Sequence, residues 1–121
     1  MDDGPRTYRV ITDGAPEPTS DAGREALRSL LGLEDGADVS TFSTVISPGT
    51  RVGSHRHTAA FAAGVVSGSI TFVFGADGEG RFDLSPGHYV WVDEGVVHDE
   101  ETTDGVELFV AHVDPLDTLT D

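Results

Sequence analysis

The side chains of this sequence best able to do chemistry are its five histidines, His55, His57, His88, His98 and His112. His55 and His57 are two apart, so on a strand both rings leave from one face, close enough to grip a single ion. His98 offers a third imidazole, set among its own glycine punctuation. His88 directly follows Gly87 in a turn and reads as a rim residue. His112 shares a face with Leu108 and Val110, opposite Glu107. It is a candidate lumen residue, either a general base beside a site or a hydrogen-bonded core histidine. The chain has no cysteine, which excludes disulfides, thiolate metal sites and a Cys nucleophile. Any metal must therefore be held by His, carboxylate or water.

Composition narrows the partners. A chain of 121 residues is expected to form one domain around one core. Its 22 acidic residues against 7 basic ones, all arginine, give a net charge of -15. Binding to nucleic acid or to an anionic membrane is electrostatically uphill, so neither is expected as a partner. The start, Met1-Asp2-Asp3-Gly4-Pro5, lacks the basic and apolar regions of a signal peptide, and no apolar run approaches the ~20 residues of a spanning helix. A cytoplasmic location is expected.

The elements that must position the histidines are mostly strands. A short strand over Tyr8–Ile11 leads into the turn-rich 13–18 segment and then into the single expected helix. Ser20 or Asp21 caps it, Leu27, Leu30 and Leu31 form its apolar face, and Gly32 ends it. Beyond Asp35, β-branched and aromatic residues alternate with polar ones between Gly, Pro and Asp clusters. Strands are expected at Val39–Ile46, His55–Val66, Ser69–Phe74, Arg81–Leu84, His88–Val92 and Val106–Val113, with a turn at Gly75–Gly78 among the separators. Such a series gives an all-β sandwich or barrel. Ile70, Phe72 and Phe74 read as core and pocket wall, and the run Asp99-Glu100-Glu101 as solvated charge at a strand end. Tyr89 and Trp91 share the face opposite Val90 and Val92, and if that face is outward their exposure asks for a partner.

Two segments carry a resemblance to a known family. The first runs Gly49, five residues, His55, one, His57, three, Phe61, six, Gly68; the second runs Gly87, five, Asp93, one, Gly95, two, His98, three, Thr102. With 18 residues between them, these resemble the two motifs of the cupin family, every Gly and His falling at the family's spacing. The family's Glu falls on Phe61, its Pro on Asp93 and its Asn on Thr102. The resemblance implies a small single-domain cupin β-barrel of jelly-roll type. Residues 1–36 would pack a strand and short helix on it, 37–114 would form it, and 115–121 would be a loose polar tail.

It also implies that His55, His57 and His98 hold one divalent transition metal, with Fe(II) favoured and Zn, Ni, Mn or Cu as other occupants. Phe61 has the strand parity of His57, so its ring is expected to face the ion where the family has a carboxylate. The donor set is then three neutral histidines, unless Glu100, two residues past His98, supplies the missing carboxylate. Such a site leaves open positions and a strong Lewis acid. The substrate pocket is expected to include Phe61, Phe72 and His112. A mononuclear three-His non-haem Fe(II) dioxygenase acting on a small organic substrate is the favoured expectation. The alternatives are a non-redox Zn or Ni isomerase, cyclase or lyase using His112 or Glu100 as acid or base, and a non-catalytic module for a metal or small ligand. A homodimer is expected, since cupin-like dimers commonly cover such strands as the one bearing Tyr89 and Trp91.

Overall fold

Period-two alternation gives a strand one apolar face, and two such sheets can bury those faces only against each other. The computed structural model describes residues 8–12, 16–32, 39–74 and 80–112, and the backbone of 118–119. Its elements are β1 (Tyr8–Ile11), α1 (Asp21–Leu30), β2 (Ser40–Ile46), β3 (Thr50–Arg51), β4 (Arg56–His57), β5 (Phe61–Gly68), β6 (Ile70–Phe74), β7 (Gly80–Leu84), β8 (Tyr89–Val92), β9 (His98–Thr102), β10 (Val106–His112) and β11 (Thr118–Leu119). One sheet has the order β1-β8-β5-β10-β2, a second β3-β9-β6-β7, and β11 pairs with β4. Every pairing is antiparallel.

The alternating faces meet as expected. Phe61, Ala63 and Val65 of β5, Val90 and Val92 of β8, and Val106, Leu108 and Val110 of β10 pack against Ile70, Phe72 and Phe74 of β6 and Leu84 of β7. Tyr8 of the first sheet stacks on Phe74 of the second, with ring centroids 3.8 Å apart. Among the described residues, the fold is all-β with one short helix. Among the described residues, no helix is long and apolar enough to cross a membrane.

The helix begins where a capping residue predicts it. Ser20 is the N-cap, its Oγ accepting from Gly23 N at 3.0 Å, and the chain leaves the helix through Gly32 at φ +74°. Leu27 is fully buried against Ala62, Tyr89, Phe109 and Ala111, with Leu30, Leu31 and Trp91 alongside. The helix thus covers the outer face of β5, β8 and β10. Tyr89 is buried there, and its hydroxyl donates to Pro16 O at 2.7 Å. Burial also pushes that phenol's pKa up to about 12. The Tyr89 side of that face is therefore covered by the protein's own helix, while Trp91 stays half-buried.

Four further expectations are corrected. The single strand over His55–Val66 is broken at 58–60 into β4 and β5, so His57 and Phe61 do not share a strand. Strand β9 runs through Asp99-Glu100-Glu101, read above as solvated charge at a strand end, because its inward residues are polar and leave no apolar alternation to read. The tail, expected to be loose, contributes β11, where Thr118 pairs with His57 and Leu119 with Arg56. The two-residue strand β3 was not foreseen. The turn expected at Gly75–Gly78 and residue 113 of the last expected strand lie outside the described residues, as do 13–15 of the connector.

Gly23 sits inside the helix, where glycine ordinarily costs about 1 kcal/mol relative to alanine. Its reason is contact: a Cβ there would lie 1.9 Å from Glu17 O and 2.7 Å from the Pro18 backbone. Gly23→Ala is accordingly expected to destabilise the fold by about 1–3 kcal/mol in urea unfolding, against its helix propensity. A gain in stability would show that the 17–18 segment does not pack on the helix.

Candidate metal centre

Alternation along β9 sends His98, Glu100 and Thr102 to one face. In register with β6, Phe74 opposes His98 and Phe72 opposes Glu100, so that face is the interior of the sandwich. His55 is fixed to the same strand by reciprocal backbone bonds, His55 N to His98 O and His98 N to His55 O, each 2.9 Å. His57 O accepts from Gly95 N at 3.0 Å, which ties the turn before β9 to β4. The two motif segments are thus joined through their backbones at the histidines.

Three imidazoles and one carboxylate converge as a result. Ring centroids are 4.3 Å apart for His55 and His98, 4.9 Å for His55 and His57, and 5.3 Å for His57 and His98. One donor atom from each of His55, His57, His98 and Glu100 lies within 4.8 Å of all the others. Glu100 Oε2 is 3.2 Å from both His55 Nε2 and His98 Nε2. Glu100, named above as the residue that would supply the missing carboxylate, thus joins the three histidines, so that four side chains could hold a metal ion. Glu100 could be found from the sequence by its parity with His98, which outweighs its membership of an acidic run.

Hydrogen bonding fixes which nitrogen faces the cluster. His55 Nδ1 donates to Gly53 O at 2.7 Å, and His98 Nδ1 donates to Val96 O at 3.0 Å. Each neutral ring then presents an Nε2 lone pair inward. His98 Nε2 is buried and makes no hydrogen bond, because Glu100 meets it by distance but not by direction. Lone pairs facing a carboxylate oxygen at 3.2 Å repel unless a proton or a cation lies between them. Hydrogen bonding to Glu100 correspondingly raises the pKa of His55. Burial alone would raise that of Glu100, but His55 and His98 outweigh it and bring the carboxyl down to about 2. An orphaned buried Nε2 beside an ionised carboxylate and two further imidazoles fits a divalent transition metal, whose bonds to such donors are about 2.0–2.2 Å.

Neighbouring residues hold this arrangement. Asp99, read from sequence as solvated, is buried, and its carboxylate accepts from Arg51 Nε at 2.7 Å and from Gly53 N at 2.8 Å. Burial works to raise its pKa, and Arg51 with the two backbone N–H groups of Gly53 and Glu100 hold it below the ordinary value. Since Gly53 O is the acceptor for His55, Asp99 sets the position of that ring through one loop residue. The Phe61 ring lies edge-on to His57 at 5.1 Å and 5.7 Å from His98, so it forms a wall of the cluster.

A cavity of about 290 Å³ opens from the donors between the sheets. Its apolar walls are Phe42, Ile46, Val52, Phe61, Ala63, Phe72, Leu108 and Val110, with Thr44, His55, His57 and Glu100 as the polar lining. Phe61 and Phe72 thus line it, whereas His112 does not. His112 ends β10 opposite Phe61, with its ring 5.7 Å from that of Phe42. His88 lies in the turn before β8, its Nδ1 accepting from Ser85 N at 3.0 Å, away from the cluster.

No protein-family model matches the chain, and no curated protein does. Solved structures do. A cupin 2 domain-containing protein from Halorhodospira halophila aligns over 94% of this chain and 82% of its own, with TM-score 0.65 and 16% identity. A salicylate 1,2-dioxygenase from Pseudoaminobacter salicylatoxidans aligns over 66% of this chain and 23% of its own, with TM-score 0.58 and 17% identity. A DMSP lyase from Ruegeria pomeroyi aligns over 62% and 38%, with TM-score 0.57 and 20% identity. The chain spans about a quarter of the dioxygenase's length. At these identities the likeness is one of fold, and the fold is that of the cupins.

Two substitutions separate the roles of these residues. His98→Ala is expected to lower affinity for Zn(II) by orders of magnitude in chelator competition, while His88→Ala leaves it unchanged; equal affinities in the two variants would contradict the assignment. Asp99→Asn keeps all four donors but loosens the Gly53 loop, and a loss of about 10- to 100-fold in affinity is expected. Unchanged affinity would show that Asp99 does not position His55.

Proposed function

We propose that this protein is a mononuclear metal-dependent enzyme acting on a small organic substrate, and that its reaction is of the dioxygenase type with Fe(II). The observation that carries the reading is the convergence of His55, His57, His98 and Glu100 beside an apolar cavity that His55, His57 and Glu100 line. These four residues would hold the ion. When bound, Fe(II) would supply Lewis acidity and a site at which an electron-rich substrate and O2 meet.

The chain's own residues do the rest. Phe61, Phe72, Leu108 and Val110 give the substrate an apolar seat and exclude water from the reacting atoms. Glu100, held ionised, offsets part of the ion's charge and serves as an acceptor rather than a proton donor. The Nδ1 bonds of His55 and His98 keep both rings in the tautomer that binds through Nε2.

A specific observation favours this reading over a non-redox Zn or Ni isomerase, cyclase or lyase. Such a reaction needs a side chain to carry a proton. Of the two candidates, Glu100 is engaged among the histidines and His112 lies off the cavity lining. A dioxygenase joins O2 to its substrate with less demand on protein acids and bases. The convergent donor set and the apolar cavity beside it likewise support an enzyme over a non-catalytic module.

The test is oxygen consumption by tag-free protein, stripped of metal and reloaded without oxygen with Fe(II), Zn(II) or Ni(II), across a panel of small enolisable and phenolic compounds. Substrate-dependent uptake is expected with Fe(II) alone and is expected to vanish in His98→Ala. Turnover without oxygen by the Zn(II) or Ni(II) form, and none with Fe(II), would contradict it.

A further inference from the structure

The charge of the cavity walls restricts what can bind there. The sequence has no lysine, and its only basic side chains besides histidine are seven arginines. Arg6 lies outside the described residues, and none of the other six lines the cavity. Arg51 is turned outward to Asp99, Arg81 pairs with Glu101, Arg28 pairs with Glu25, and Arg24 lies over the Phe109 ring. Arg9 borders a different cavity beside the helix, and Arg56 alternates with His55 and His57 along the chain. Thr44 is the only polar side chain among the described lining residues outside the donor cluster.

This inference rests on the metal reading of the site. A divalent ion held by three neutral imidazoles and the Glu100 carboxylate leaves one net positive charge to face the cavity. One anionic oxygen on a ligand balances it. A second anionic group would sit against Phe42, Phe72, Leu108 or Val110 with no partner, and burying an unpaired charge is costly. A cationic group would face the residual positive charge of the centre. We propose that the cavity selects small, largely apolar molecules that carry a single anionic oxygen donor and no second charged group.

The test compares 3-acetylbenzoate with isophthalate, which match in shape and size and differ in the second negative charge. Each is titrated into Co(II)-loaded protein, with binding read from the visible spectrum of Co(II) and by calorimetry. Salt at about 0.5 M screens the acidic exterior, so that the comparison reports the cavity walls. The proposal expects 3-acetylbenzoate to bind at least about tenfold more tightly. Val52, half exposed on the cavity lining, offers a place for the missing cation. Val52→Arg is expected to raise isophthalate affinity about tenfold relative to that of 3-acetylbenzoate. Equal binding of the two acids by the Co(II)-loaded wild type, or binding of neither, would overturn the proposal and leave the metal reading standing. So would an unchanged ratio in Val52→Arg. Failure to take up Co(II) at all, seen before any acid is added, would overturn both.

Discussion

Three imidazole nitrogens and a carboxylate oxygen brought together inside an apolar sandwich repel or go unpaired unless a positive charge joins them. That constraint governs the arrangement around it. Two of the rings are held from behind by backbone carbonyls, one of those carbonyls belongs to a loop clamped by Asp99, and the ring of Phe61 closes a side of the cluster. Each contact keeps the donor groups of the candidate centre in place. A polypeptide relaxing these groups for its own stability would turn the carboxylate outward to solvent.

The fold supplies what the cluster needs. A sandwich gives two sheets that pack about 10 Å apart, so the donors at 55–57 and on β9 can converge while β5, β6 and β10 provide the walls. The cost is concentrated on β9, which spends its inward positions on His98, Glu100 and Thr102 instead of apolar residues. Its neighbours compensate: Phe72 and Phe74 on β6 pack beside those polar groups and continue the core. The helix closes the opposite side of the larger sheet, where Leu27 and Tyr89 make a second apolar layer. The site therefore lies on one side of that sheet and the helix on the other.

Much of this was legible in the residues. The all-β class, the cap at Ser20 and the faces of β6, β8 and β10 follow from alternation and turn chemistry, and the spacing of His55, His57 and His98 marked the three rings that converge. What stayed hidden has a common cause. Periodicity reports apolar burial, so a strand whose buried face is polar, as β9 is, does not register. For the same reason Asp99 and Glu100 read as solvent-facing, since burial of a charge depends on partners up to 48 positions away, such as Arg51. The covering of Tyr89 and Trp91 depends on where the helix docks, which no local pattern states. The break at 58–60 separates two strands that the sequence joins into one, and only the tertiary course of the chain shows it.

The central claim is that these four residues form one coordination sphere, and X-ray absorption of Zn-loaded protein addresses it directly. The account predicts three imidazoles and a carboxylate oxygen around one ion at about 2.0–2.1 Å, with the carboxylate replaced by water in Glu100→Ala. A sphere of carboxylates and water with fewer than three imidazoles would place the ion on the acidic surface and contradict it, as would a spectrum that Glu100→Ala leaves unchanged.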